Sequence, residues 1–223
     1  MQSRRLLATL AAIILWGCAV HAQTLVYNNG VSYSGIYLNP GLNEVADEII
    51  LGAGPRQPIS FQFEYFGSGF SGDEQYQIRF YLNDGAFLGG PFNTFEPGTV
   101  FYNSGLQPLA APVDASGRAT YLIDLSYTNI VMPDRFTWSV QFSGITGAEA
   151  AGPTIYNPPA VGNSFDDYWF NNAGAWQLRA SNGVPINFGA QIGVVPEPST
   201  YALAILGGLC GFALVVRKRS RRQ

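Results

Sequence analysis

Chemistry in this 223-residue chain is limited first by where its reactive side chains are missing. The one histidine, His21, the two cysteines, Cys18 and Cys210, and the one lysine, Lys218, all lie near the two ends. Residues 23–193 therefore offer no Ser-His-Asp triad, no Cys-His pair, no His-ligated zinc and no lysine for Schiff-base or Ser-Lys chemistry. Carboxylates remain: Glu44, Asp47, Glu48, Glu64, Asp73, Glu74, Asp166 and Asp167. Two acids held about 5 to 10 Å apart would suffice for glycoside hydrolysis. The same acids would suit calcium, which takes roughly six to eight oxygen ligands. Gly72-Asp73-Glu74 in a glycine-rich turn and Asp166-Asp167 beside Asn163 are the places for it. Any acidic secreted β domain offers as many acids, and most paired acids on loops are solvated surface. No cofactor is expected, calcium being the one that these acids would suit.

Aromatic rings are the other chemical resource, 14% of the chain. Rings exposed on a sheet or loop bind sugars by stacking on pyranose C–H faces while acids and amides take the hydroxyls. Tyr168 and Trp169, with Asp166, Asp167, Asn171 and Asn172 beside them, form the candidate ligand loop of this type. The competing role is packing: a domain without disulfides needs large rings inside, and Trp169 and Trp176 would serve there as well. Trp138 alternates within a strand pattern and is assigned to the core.

These side chains must be positioned by strands, because helical periodicity is missing between residues 23 and 193. Segments rich in β-branched and aromatic residues recur between Gly, Pro and Asn: Thr24 to Tyr27, Glu44 to Leu51, Ile59 to Gly67, Tyr76 to Asn83, Thr99 to Asn103, Ala119 to Tyr127, Phe136 to Ser143, Trp176 to Ala180 and Ile186 to Val194. In Ile59 to Phe66 the apolar residues Ile59, Phe61, Phe63 and Tyr65 alternate with Ser60, Gln62 and Glu64, the period of a half-buried strand. Tyr76 to Leu82 and Phe136 to Phe142 alternate likewise. About nine short strands predict an all-β fold, an antiparallel two-sheet sandwich or jelly roll. Asn83-Asp84-Gly85 predicts a tight hairpin turn with Ala86 to Thr94 as the returning strand. Gly144 to Tyr168, with Pro153, Pro158 and Pro159, predicts a long irregular loop.

The two ends read differently. Arg4 and Arg5 precede an apolar stretch from Leu6 to Leu15, and Val20-His21-Ala22 has small residues at the −3 and −1 positions, so residues 1–22 predict a secretory signal peptide cut between Ala22 and Gln23. Leu15-Trp16-Gly17-Cys18 is a rival lipobox, in which Trp16 fits poorly. At the other end, residues 194–223 hold Val195-Pro196-Glu197-Pro198-Ser199-Thr200, an uncharged run from Tyr201 to Val216, and five cations in residues 217–223. As a helix that run would reach roughly 24 Å against a hydrocarbon core of about 30 Å, enough for one transmembrane helix with local thinning. The cations would hold their end in the cytoplasm. Pro196 and Pro198 each remove a donor and fix φ, presenting Glu197 on an extended segment.

This tail resembles the PEP-CTERM sorting signal of Gram-negative bacteria: Pro196-Glu197-Pro198, a Gly-Leu-rich apolar run containing Leu206-Gly207-Gly208-Leu209, and a terminal basic cluster stand in that order. The resemblance covers about an eighth of the chain. It implies recognition of Pro196, Glu197 and Pro198 by an exosortase after passage through the Sec translocon and cleavage by signal peptidase. It implies little about the cargo, residues 23–193, which carry five arginines against fourteen acids. A net charge of −9 disfavours nucleic acid. The expected function is a non-catalytic surface or matrix protein, associated with exopolysaccharide or biofilm. A carbohydrate-binding module, calcium-assisted or not, is the alternative, and a secreted carboxylate-dependent hydrolase the third reading.

Overall fold

The computed structural model describes residues 23–89, 94–112, 115–180 and 183–195. Ala22 with the rest of the export signal, Pro196, Glu197 and Pro198, the apolar run 201–216 and the basic tail lie outside the described residues. Among the described residues the chain is all β and antiparallel, and no helix is long and apolar enough to cross a membrane.

In chain order the strands are β1 (Thr24–Asn28), β2 (Tyr33–Tyr37), β3 (Glu44–Ile50), β4 (Pro58–Ser68), β5 (Gln75–Tyr81), β6 (Phe87–Leu88), β7 (Thr94–Phe95) and β8 (Val100–Asn103). There follow β9 (Gln107–Pro108), β10 (Arg118–Asp124), β11 (Arg135–Ser143), β12 (Ala150–Tyr156), β13 (Asn163–Ser164), β14 (Asp167–Asn172), β15 (Ala175–Ala180) and β16 (Ala190–Val194).

The eleven-residue β4 is the spine of the first sheet. One edge pairs with β10 from Ser60 to Phe66. The other edge is shared, β16 taking Pro58 to Phe63 and β12 taking Tyr65 to Ser68. Beyond these lie β1 against β16 and β2 against β12. The second sheet runs β15-β14-β3-β11-β5-β8, with β13 also on β3 and β9 also on β5. The two sheets meet through rings. Phe61 of β4 lies 5.1 Å from both Phe80 of β5 and Trp138 of β11, and Phe63 lies 5.2 Å from Tyr76. Trp138, Phe61, Phe63, Phe80, Phe136 and Phe142 are wholly buried, so the core is built mostly of aromatic area.

Four expectations change. Phe136 to Phe142 is not half-buried: Thr137 and Ser139, on its polar side, are as inaccessible as its rings. The stretch from Gly144 to Tyr168 is not one loop, because it contains β12. Its Gly-Pro pair reads as a loop but meets a packing demand. A Cβ on Gly152 would come 1.8 Å from the Leu38 carbonyl oxygen, while the Pro153 carbonyl accepts the Leu38 N–H at 3.0 Å. Asn83-Asp84-Gly85 does not turn the chain back either. Leu82 and Gly85 donate to Thr99 and Glu96, the Asp84 carboxylate accepts the Thr99 N–H and hydroxyl, and the reversal falls between β6 and β7. The last strand begins at Ala190 rather than Ile186 and ends at Val194, as expected.

Truncating a central ring removes both transfer energy and packing. Phe61→Ala and Trp138→Ala are each expected to cost about 3–5 kcal/mol in urea unfolding. Leu122→Ala, at a side chain 63% exposed on β10, should stay within about 0.5 kcal/mol.

Candidate functional site

Register across the second sheet assembles the side chains on its outer face, because directly paired residues project to the same side. Asn171 pairs with Trp176 and with Glu44, Glu44 with Gln141, and Gln141 with Gln77. This gives a row Trp176, Asn171, Glu44, Gln141, Gln77 over five strands. In the next row stand Leu178, Trp169, Ala46, Ser139 and Arg79. Trp176 and Tyr81 belong to strands four apart, yet their rings lie 5.5 Å apart, edge to face. They bridge the strands that carry the small side chains Ala46 and Ser139, both wholly buried.

Charge is buried on this face. The first carboxylate oxygen of Glu44 accepts from the Tyr81 hydroxyl at 2.8 Å, from Ser139 and from Arg79 Nη1 at 2.9 Å. Among the described residues its other oxygen has one donor, Asn171 Nδ2, at 3.3 Å. Glu48 is held by Asn83, by Arg135 and by the Thr94 hydroxyl at 3.0 Å. Burial, then the negative field of Glu44, pushes the Tyr81 hydroxyl well above its ordinary pKa. Asp47, between the two glutamates in sequence, points the other way into the core. Its carboxyl accepts from Ser164 Oγ at 2.6 Å and the Phe188 N–H at 2.8 Å. Burial pushes it well above the usual carboxylate range, and those two donors offset only part of that rise.

Beside Glu44 the outer face opens into a polar cleft of about 430 Å³, reached by Asn43, Arg79, Gln141 and Asn171 and edged by the turn joining β14 to β15. That turn has positive φ at both central residues, Ala173 (+53°) and Gly174 (+92°), as a two-residue type I′ hairpin requires. Alanine is costly there because its Cβ crowds the carbonyl in the left-handed region. The Asn171 side-chain oxygen accepts the Gly174 N–H at 2.8 Å and braces the turn.

The residues of the candidate ligand loop are separated. From Asp167 onward they form β14, whose two-residue period sends Tyr168 toward Phe188 in the core and Trp169 to the opposite face. Trp169 is only 1% exposed and presents no ring to a ligand. Asp166 and Asp167 border a different opening of about 340 Å³, with Phe165, Gly183, Val184 and Pro185. Burial, then the nearby Glu48, raises the Asp167 carboxyl. Asp73 and Glu74 do come together, and Glu149 joins them, all three offering oxygens within 4.8 Å of one another. Glu74 accepts the Ser71 and Gly72 N–H groups, and the Thr146 N–H, then Ser71, hold Glu149 below the usual carboxylate range. This trio is the group among the described residues that a hard cation would fit; Asp166 and Asp167 are not part of it.

Arg79, Gln141 and Asn43 were not legible as site residues. Strand alternation puts Gln141 on the polar side of its segment, but the partner opposite it follows from register, which one strand does not reveal.

Two variants probe this region. An acid whose folded pKa is raised stabilises the fold below its unfolded pKa and loses that contribution as pH rises through the folded value. Asp47→Asn, able to keep both hydrogen bonds, should therefore match the parent near pH 4 and exceed its stability increasingly toward pH 8 in urea titrations. Ala173→Asn should raise stability by up to about 1 kcal/mol, since asparagine tolerates the left-handed region. Comparisons with protein families, curated proteins and solved structures return no match to the chain.

Proposed function

We propose that this chain is an exported, non-catalytic surface protein of a Gram-negative bacterium. The Sec translocon carries it out, signal peptidase cuts between Ala22 and Gln23, and an exosortase recognises Pro196-Glu197-Pro198 while the run 201–216 holds the precursor in the membrane. The cargo is a jelly-roll-like β-sandwich displayed at the envelope or in the extracellular matrix, in contact with exopolysaccharide.

The observation that carries this reading is the fit between folded unit and processing signals. Strand β1 begins at Thr24, two residues after the expected cut, and β16 ends at Val194, two residues before Pro196. Both signals thus lie wholly outside the unit Thr24–Val194, and removing either leaves the strands of the described residues intact. A sugar-binding role is the second reading, favoured by the polar cleft beside Glu44.

Fractionation with mass analysis tests the route. Glu197→Ala should leave the N-terminus at Gln23 but accumulate uncleaved protein in the membrane, whereas the parent is processed near Pro196. Recovery of the parent from the cytosol with residues 1–22 attached would overturn the reading.

A further inference from the structure

We infer that the cleft beside Glu44 binds a neutral sugar residue, its hydroxyls taken by Glu44, Asn171 and Gln141. A volume of about 430 Å³ lies within the roughly 300–1,000 Å³ of small-ligand sites. The chemistry of the row favours hydroxyl groups, each of which both donates and accepts. One Glu44 oxygen is saturated by three donors, while the other has, among the described residues, a single long contact and keeps acceptor capacity toward the cleft. Gln141 accepts from Arg79 at 3.2 Å and donates to the Leu42 carbonyl at 3.2 Å, long bonds that a hydroxyl can exchange.

Charge selects a neutral ligand over an anionic one. Arg79 stands 2.9 Å from Glu44, which cancels the cation of the cleft, and residues 23–193 carry a net charge of −9. Glu44 is the one carboxylate among the residues lining the cleft, so a bound glycosidic bond meets a single acid where hydrolysis uses two. The strained Ala173 stands at the lip, the kind of position where strain and ligand contact coincide.

This inference deepens the proposed surface role by naming a ligand class. Binding is measured on purified protein, so its failure leaves the sorting route standing, and failure of the Glu197→Ala experiment leaves the cleft standing. The full-length chain, in a detergent without sugar headgroups, is titrated calorimetrically and by tryptophan fluorescence with cellohexaose, mannohexaose and xylohexaose, and with hexagalacturonate as the anionic probe. One or more neutral hexasaccharides should give a saturable isotherm, weakened at least about tenfold by Gln141→Ala and unchanged by Leu122→Ala. Unfolding midpoints check that each variant is folded, and Gln141→Met, of similar length but without the amide, carries the test if Gln141→Ala does not fold. Absence of binding to all three neutral probes, preference for hexagalacturonate, or undiminished binding by the folded variants overturns the inference.

Discussion

Three carboxylates on one strand, all removed from water, govern this structure. Along Glu44-Val45-Ala46-Asp47-Glu48-Ile49 every residue is buried, although three of the six are acids. An unpaired charge in such a place costs several kcal/mol, so each acid obliges other parts of the chain to bring donors to it. Glu44 draws in β5, β11 and β14 through Tyr81, Arg79, Ser139 and Asn171. Glu48 ties the β6–β7 hairpin and Arg135 to the same face, and Asp47 fastens Ser164 and the Phe188 backbone from the core side. Strand β3 thus sets the position of much of the second sheet.

The outer face of that sheet is consequently a second interior. Its polar side chains are organised by hydrogen bonds where the space between the sheets is organised by rings, and the Trp176–Tyr81 contact shields the buried residues between them. Burial is incomplete where β14 turns into β15, and there the polar network reaches a cleft. The ion pair and amides at that edge serve the fold on one side and are open to a ligand on the other. The opposite sheet shows the same economy on a smaller scale: Glu64 holds Arg118 and the Tyr156 hydroxyl, and Arg118 stacks on Tyr33.

Legibility in the sequence followed local chemistry. Strands such as β4, β5 and β11 were readable because alternating rings and polar residues record a local period, and Trp138 was readable as core for the same reason. What escaped notice depended on partners far along the chain. Strand β12 carries Gly152 and Pro153 because Leu38 approaches it closely, a demand invisible in the segment itself. Thr137 and Ser139 look solvent-facing until Glu48 and Glu44 are placed beside them. Trp169 looked like a loop ring until β3 gave β14 a ladder. At the site, Glu44 and Asn171 were visible as residue types, but their meeting with Arg79 and Gln141 is a product of register.

One pairing bears on how the molecule can be assembled. Strand β1 finds its strand ladder in β16, Thr24 opposite Val194, so the first piece of the unit to emerge is completed by the last. Nearly the full length must be gathered before that ladder can form, which raises contact order and slows folding. During synthesis β1 and one flank of β4 would wait as open hydrogen-bonding edges, prone to the wrong neighbours. Chain closure therefore acts as a checkpoint: a molecule truncated before Ala190 keeps most of its aromatic core yet lacks the clasp between its two ends.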